Sequence, residues 1–153
     1  MADRVSPVYL GVAFGVTLIV PALCVAYEGT AAALVKWAPF WAVGVRLGLA
    51  GLRQMANPSF TAKEIFNLAD DSALPIVREL GMANTSFAIL GLCSLLVPAW
   101  RVPAILVGGL YYGLAAAGHA VRKPASKNEL VALVSDILIF VGLAAAFVVG
   151  VTR

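Results

Sequence analysis

The chain has 153 residues, of which 61% are hydrophobic and only 12% charged, and a net charge of +3; mean hydropathy is +0.93 and pI about 9.1. That apolar share lies well above the roughly 45–50% of soluble domains, which excludes a soluble fold of this length and indicates one membrane domain. The positive balance is scattered through short connections between apolar segments, which points to the positive-inside effect and not to nucleic acid.

Five segments are long enough to span a bilayer, for which a helix needs about 20 mainly apolar residues. The first covers residues 7–27. It is too long for a signal-peptide core, and MADRVS ahead of it carries Asp3 beside Arg4, so it reads as a helix of the mature protein. The second, 37–55, holds Pro39 in its first turn, where a missing N–H does no harm. Residues 57–74 form the one substantial loop. Within it Phe60, Ile65, Phe66 and Leu68 lie beside Lys63 and Glu64, the pattern of a short amphipathic surface helix with Thr61 as its cap. The third span covers 75–97 and stops at Pro98, the fourth covers 102–121, and the fifth covers 129–151. Ser126 with Glu129 three residues later resembles a capping box for the last. The expected fold is therefore an all-α integral membrane bundle of five transmembrane helices in a single domain, 1–153.

With five spans, Arg4, Arg53, Lys63, Arg78, Arg122, Lys123 and Lys127 fall on one side, and Lys36, Arg101 and Arg153 on the other. The bias predicts a cytoplasmic amino terminus and an external carboxyl terminus. Trp37, Trp41 and Trp100 then gather at the outer interface as an aromatic belt.

A few polar residues lie inside these apolar segments, where each charge costs at least about 2.5–3.5 kcal/mol at the bilayer centre. Counting 1.5 Å per residue puts Arg53, Glu79 and His119 in a shallow layer on the inner side. Arg46, Asn84 and Asp136 lie deeper. Arg46 and Arg53 are seven residues apart and share a helix face. The simplest electrostatic solution pairs Arg46 with Asp136, and Glu79 with Arg53 or His119. These six residues are the candidate lining of a polar cavity, with Asn84 and His119 level with each other on adjacent helices.

Several chemistries fall away. One histidine cannot supply both axial ligands of a haem. No His, Cys and carboxylate cluster has zinc spacing, no glycine-rich phosphate loop carries its lysine, and no serine sits in a GxSxG turn. Cys24 and Cys93 belong to no CxxC and read as small apolar residues.

The stretches VGVRLGLAGLRQM, RELGMANTSFAILGL and GGLYYGLAAAGH resemble the DoxX-like group of small bacterial membrane proteins. The E-x-G-x-A-N run, here Glu79, Gly81, Ala83 and Asn84, and the later Gly118–His119 resemble related uncharacterised membrane families. The resemblance covers about residues 40–150 and implies a four-helix core to which the first helix is an addition. It also implies a bacterial inner-membrane protein, in some relatives a subunit linked to quinone-coupled sulfur or thiol oxidation. The expected function is that of a non-catalytic membrane protein: a small hydrophobic-ligand-binding protein or accessory subunit, with a quinone or lipid as ligand and no cofactor in the chain itself. Its expected partners are the bilayer and a second copy or a redox complex, with no nucleic acid. A small transporter or proton relay built on Arg46, Glu79, His119 and Asp136 is the alternative, and an enzyme acting on a lipid-soluble substrate through Glu79 or His119 is a third.

Overall fold

A computed structural model describes residues 5–124 and 126–152, and all its regular structure is helical. Five long helices follow one another: α1 (Pro7–Glu28), α2 (31–56), α3 (Leu74–Cys93), α4 (Arg101–Arg122) and α5 (Lys127–Val151). They run alternately up and down, so that the ends near Tyr9, Arg53, Arg78, Arg122 and Lys127 meet at one pole. Arg4 and Arg153, which enter the charge count, and Asp3 lie outside the described residues.

Four of these helices, α1, α3, α4 with its preceding turn, and α5, are long and apolar enough to cross a membrane. The exception is α2, which at 1.5 Å per residue is roughly 39 Å long but is interrupted by Lys36, Arg46 and Arg53. The structure gives a physical reason for tolerating them. α2 is the interior helix and packs against all four others; Val43 is 0% and Leu47 2% exposed. Arg46, in the middle of the helix, is the charge its neighbours shield, whereas Arg53 near its end is exposed. Outside, the polarity is inverted relative to a soluble protein. Ile89, Leu110, Leu114 and Val141 on α3, α4 and α5 are exposed, a surface suited to lipid contact.

The closest packing joins α2 to α3. Gly44, Gly48 and Gly51 recur at helical spacing on α2 and meet Gly81, Ala88 and Gly91 of α3. A Cβ on Gly91 would come within 2.7 Å of Gly44 Cα, and one on Gly81 within 2.8 Å of the Gly51 carbonyl oxygen. With little hydrophobic force between helices in lipid, this close backbone approach supplies the dispersion contact.

The helix ends follow local chemistry and shift several expected boundaries. Gly29, at φ 63°, terminates α1. The Thr30 hydroxyl oxygen then accepts from the Ala33 N–H at 3.2 Å, so α2 begins at Ala31 and not at 37. α3 stops at Cys93, short of 97. The Ser94 hydroxyl donates to the Gly91 carbonyl at 2.6 Å, and Arg101 Nε donates to the Ser94 carbonyl at 3.2 Å, which ties the turn to the start of α4. Ser126 accepts from the Glu129 N–H at 3.0 Å and caps α5. The Glu129 side chain also reaches His119 and Arg122 on α4. In the loop, Phe60–Ile65 forms one short wide helical turn. Ser59, not Thr61, occupies its cap position and provides no side-chain bond; Thr61 is buried instead. The Ser126 hydroxyl donates to the Ile65 carbonyl at 3.0 Å and Asn128 Nδ2 to that of Glu64 at 3.2 Å, so this turn is fastened to the start of α5.

At the opposite pole Glu28 accepts from Lys36 at 2.7 Å and from Trp37 Nε1 at 2.9 Å. Trp100 lies at the same pole and is exposed. Cys24 and Cys93 are both free thiols.

Candidate functional site

A cavity of about 690 Å³ lies between the helices at the Arg53 pole. Its walls come from α1 (Tyr9, Ala13), α2 (Arg46, Arg53, Gln54), α3 (Leu80, Asn84), α4 (Tyr111, Tyr112, His119) and α5 (Asp136), and the loop turn covers it with Phe60, Thr61 and Phe66. Two features hollow the protein here. α1 packs mainly on α2 and α5, which leaves a gap between it and the α3–α4 pair. Moreover, α1 and α2 adopt wider, π-type turns at Gly11–Ile19 and Pro39–Arg46, and these stretches face each other. In α1 the Thr17 hydroxyl reaches back to the carbonyls of Val12 (3.3 Å) and Ala13 (2.5 Å), bridging acceptors five and four residues behind it.

Arg46 sits at the deep end. Its Nη2 donates to Asp136 at 2.7 Å and to the Ser135 hydroxyl oxygen at 2.8 Å, and Nη1 donates to the Ala13 carbonyl at 3.3 Å. One guanidinium thus joins α2 to α1 and α5. The side chains of Arg46 and Asp136 are only 11% and 9% exposed. Ser135 in turn donates to the Ala132 carbonyl at 3.0 Å. Tyr112 lies beneath Arg46, with the guanidinium carbon 5.3 Å from the ring centre, and donates its hydroxyl to the Ala42 carbonyl at 2.7 Å. Of the five N–H groups of Arg46, three have partners among the described residues.

A second polar cluster closes the shallow end. Glu129 is 0% exposed and accepts from Arg122 Nε at 3.1 Å and from Arg122 Nη2 as well. His119 Nδ1 lies 2.9 Å from the same carboxylate oxygen. A carboxylate only accepts, so in this contact Nδ1 carries the proton and donates. The Phe66 ring stacks on His119 at 5.5 Å and 14°, and Arg122 lies 4.5 Å over the other partner of that stack, Phe66.

The six residues expected from the sequence separate. Arg46, Arg53, Asn84, His119 and Asp136 all line the one cavity. Glu79 does not: it is exposed and stands outside the cavity wall, paired with neither Arg53 nor His119. The carboxylate that meets His119 is Glu129, from α5. Arg53 is exposed at the rim and lies over Phe60, with the guanidinium carbon 3.4 Å from the ring centre. Asn84 and His119 share the cavity without bonding each other. Asn84 Nδ2 donates to Gln54 Oε1 at 2.8 Å, and its Oδ1, itself buried, has no hydrogen-bond partner among the described residues. Sequence reading missed Gln54, Tyr9, Tyr111 and Glu129. Gln54 was detectable, since it lies eight residues after Arg46 on the same side of α2. Tyr9 belonged to a helix treated as an appendage.

A second, apolar chamber of about 390 Å³ lies beyond the Arg46 layer. Thr17, Ala42 and Ile139 line it, each about one turn further along its helix than Ala13, Arg46 and Asp136.

The chain belongs to a family of unknown function, DUF6790. The family model matches residues 4–151. That match takes in α1 as well as the four helices that follow it. No curated protein matches the chain, and no solved structure matches it.

Proposed function

We propose that this protein is a non-catalytic, membrane-embedded binding protein for a small lipid-soluble molecule, a quinone or a lipid, acting alone or as an accessory subunit of a membrane complex. The observation that carries the reading is the cavity itself. Its volume of about 690 Å³ falls within the roughly 300–1,000 Å³ of small-molecule sites, and it combines apolar and aromatic walls with a few polar groups. Its rim includes Val8 (71% exposed), Leu49 (44%) and Leu114 (73%), side chains on the lipid-facing surface. A ligand dissolved in the bilayer therefore has a lateral route into it. The likeness of the 43–55, 78–92 and 108–119 stretches to the DoxX-like group agrees with a quinone or lipid-linked role. The DoxX-like likeness favours a bacterial inner membrane, and the Lys and Arg bias favours the cavity on the cytoplasmic side, the amino terminus inside and the carboxyl terminus outside. A proton-relay reading draws on the same two ion clusters; proton-coupled flux in liposomes would favour it.

The test is mass spectrometry of the protein solubilised in mild detergent, comparing wild type with Gly118→Trp. Gly118 lines the cavity and a Cβ there meets nothing within 4 Å, so a large side chain fills the space without a backbone clash. Wild type should retain a defined amphiphile, and Gly118→Trp should lose it while keeping its helicity. Equal retention by both, or none by wild type, overturns the reading.

A further inference from the structure

We infer that the cavity selects an amphiphile with an acidic head, a carboxylate or phosphate ester carrying an apolar chain, and that Arg53 is the residue that reads the charge. The inference rests on the binding role proposed above and adds its specificity. It follows first from the charge balance of the walls. Three guanidinium groups, Arg46, Arg53 and Arg122, line the cavity against one carboxylate, Asp136. Asp136 is answered by Arg46 at 2.7 Å, and Arg122 by the buried Glu129 behind it. Arg53 is answered by no carboxylate among the described residues, so its positive charge is a surplus at the site.

The direction of that charge is the second argument. An arginine at a helix end ordinarily extends into the headgroup layer. Here the Arg53 guanidinium lies over Phe60, its carbon 3.4 Å from the ring centre, and both residues line the cavity. The ring holds the planar donor group at the cavity mouth, and a guanidinium matches the paired oxygens of a carboxylate or phosphate. Deeper in, Arg46 and Tyr111 also line the cavity. The third argument is the rim, where exposed Val8, Leu49 and Leu114 leave a path for a chain to lie toward lipid while the head is held inside. The chamber beyond Arg46 is lined by alanine, leucine, proline and valine, with only Thr17 polar, and offers a charged head nothing.

The test measures binding to the purified full chain in nonionic detergent by isothermal titration, using probes that share an oleoyl chain: oleate, lysophosphatidic acid, neutral monoolein and cationic oleylamine, with inorganic phosphate as a head without a chain. Oleate and lysophosphatidic acid should bind about tenfold more tightly than monoolein, a difference of about 1.4 kcal/mol, and more weakly as salt is raised. Inorganic phosphate should not compete; saturation by phosphate alone would show that the site takes a free anion and would overturn the amphiphile. Arg53→Gln should bring the acidic probes down to the affinity of monoolein, and Arg53→Lys should keep most of the preference. Because Arg53 is exposed and forms no ion pair, neither variant should disturb folding. Monoolein or oleylamine binding as tightly as oleate, or an unchanged preference in Arg53→Gln, overturns the charge selection while leaving a lipid-soluble ligand standing. No binding by any oleoyl probe overturns both.

Discussion

The two faces of α2 solve opposite problems with residues a few positions apart. Toward α3, Gly44, Gly48 and Gly51 bring two backbones together until no Cβ fits between Gly44 and Gly91. About half a turn around the same helix, Arg46 and Arg53 face a cavity of about 690 Å³. The seam is held by close backbone contact, with the Asn84–Gln54 bond of 2.8 Å beside it. The cavity wall is held by ions: its deep end by Arg46 with Ser135 and Asp136, its shallow end by Glu129 with Arg122 and His119. A helix can carry a hollow face when its other face is closely packed, and Arg46 is tolerated in α2 because the neighbouring helices hide it from lipid.

The largest expected effect is at the deep ion pair. Asp136→Asn leaves the Arg46 guanidinium, 11% exposed, without its counter-charge, and should cost about 3–5 kcal/mol. Thermal unfolding in detergent reads this directly. Adding Arg46→Leu should recover part of the loss; a double variant that shows only the sum of the single losses would mean the pair is not energetically coupled.

Next comes the seam. Gly91→Ala forces a methyl group against the Gly44 backbone and should cost about 1–3 kcal/mol, whereas Gly142→Ala, with nothing within 4 Å of the added Cβ, should be neutral. Equal melting temperatures for the two variants would show that the seam is looser than described.

At the shallow end, Glu129→Gln removes the negative charge that Arg122 and His119 share and leaves a neutral amide in its place. The loss should be smaller than at Asp136, about 1–3 kcal/mol, because the Arg122 side chain is 51% exposed and water can solvate it. A loss as large as that of Asp136→Asn would make the shallow cluster the stronger clamp. The smallest effect is at Glu79. It is exposed and outside the cavity, so Glu79→Gln should move stability by less than about 0.5 kcal/mol and leave ligand retention unchanged. A strong effect on retention would restore it to the site.

Much of the bundle was legible because lipid imposes one rule on every segment: long apolar runs become helices. The runs themselves announced α1, α3, α4 and α5, and the isolated charges Arg46 and Asp136 announced each other, since neither is tolerable alone in an apolar setting. The errors have local causes. The start of α2 was misjudged by six residues, since Thr30 and Gly29 were not weighed as a cap and a stop. Glu79 was assigned to the cavity by its depth alone. Depth follows from counting residues, but which way a side chain faces depends on helix rotation, and that is set by how Gly81 must turn to meet Gly51.

By itself, then, the sequence determined the helical class, the approximate spans and the need for Arg46 to find a buried acid, because these follow from transfer costs that act on each segment separately. Tertiary structure alone decided that α2 is the shielded centre, that Glu129 and not Glu79 meets His119, and that α1 stands far enough from α3 and α4 to leave a cavity. Each of these depends on the relative placement of helices distant in the chain, where close backbone approach at Gly44 and Gly91 and the reach of one guanidinium across three helices choose among packings that the apolar pattern leaves equal.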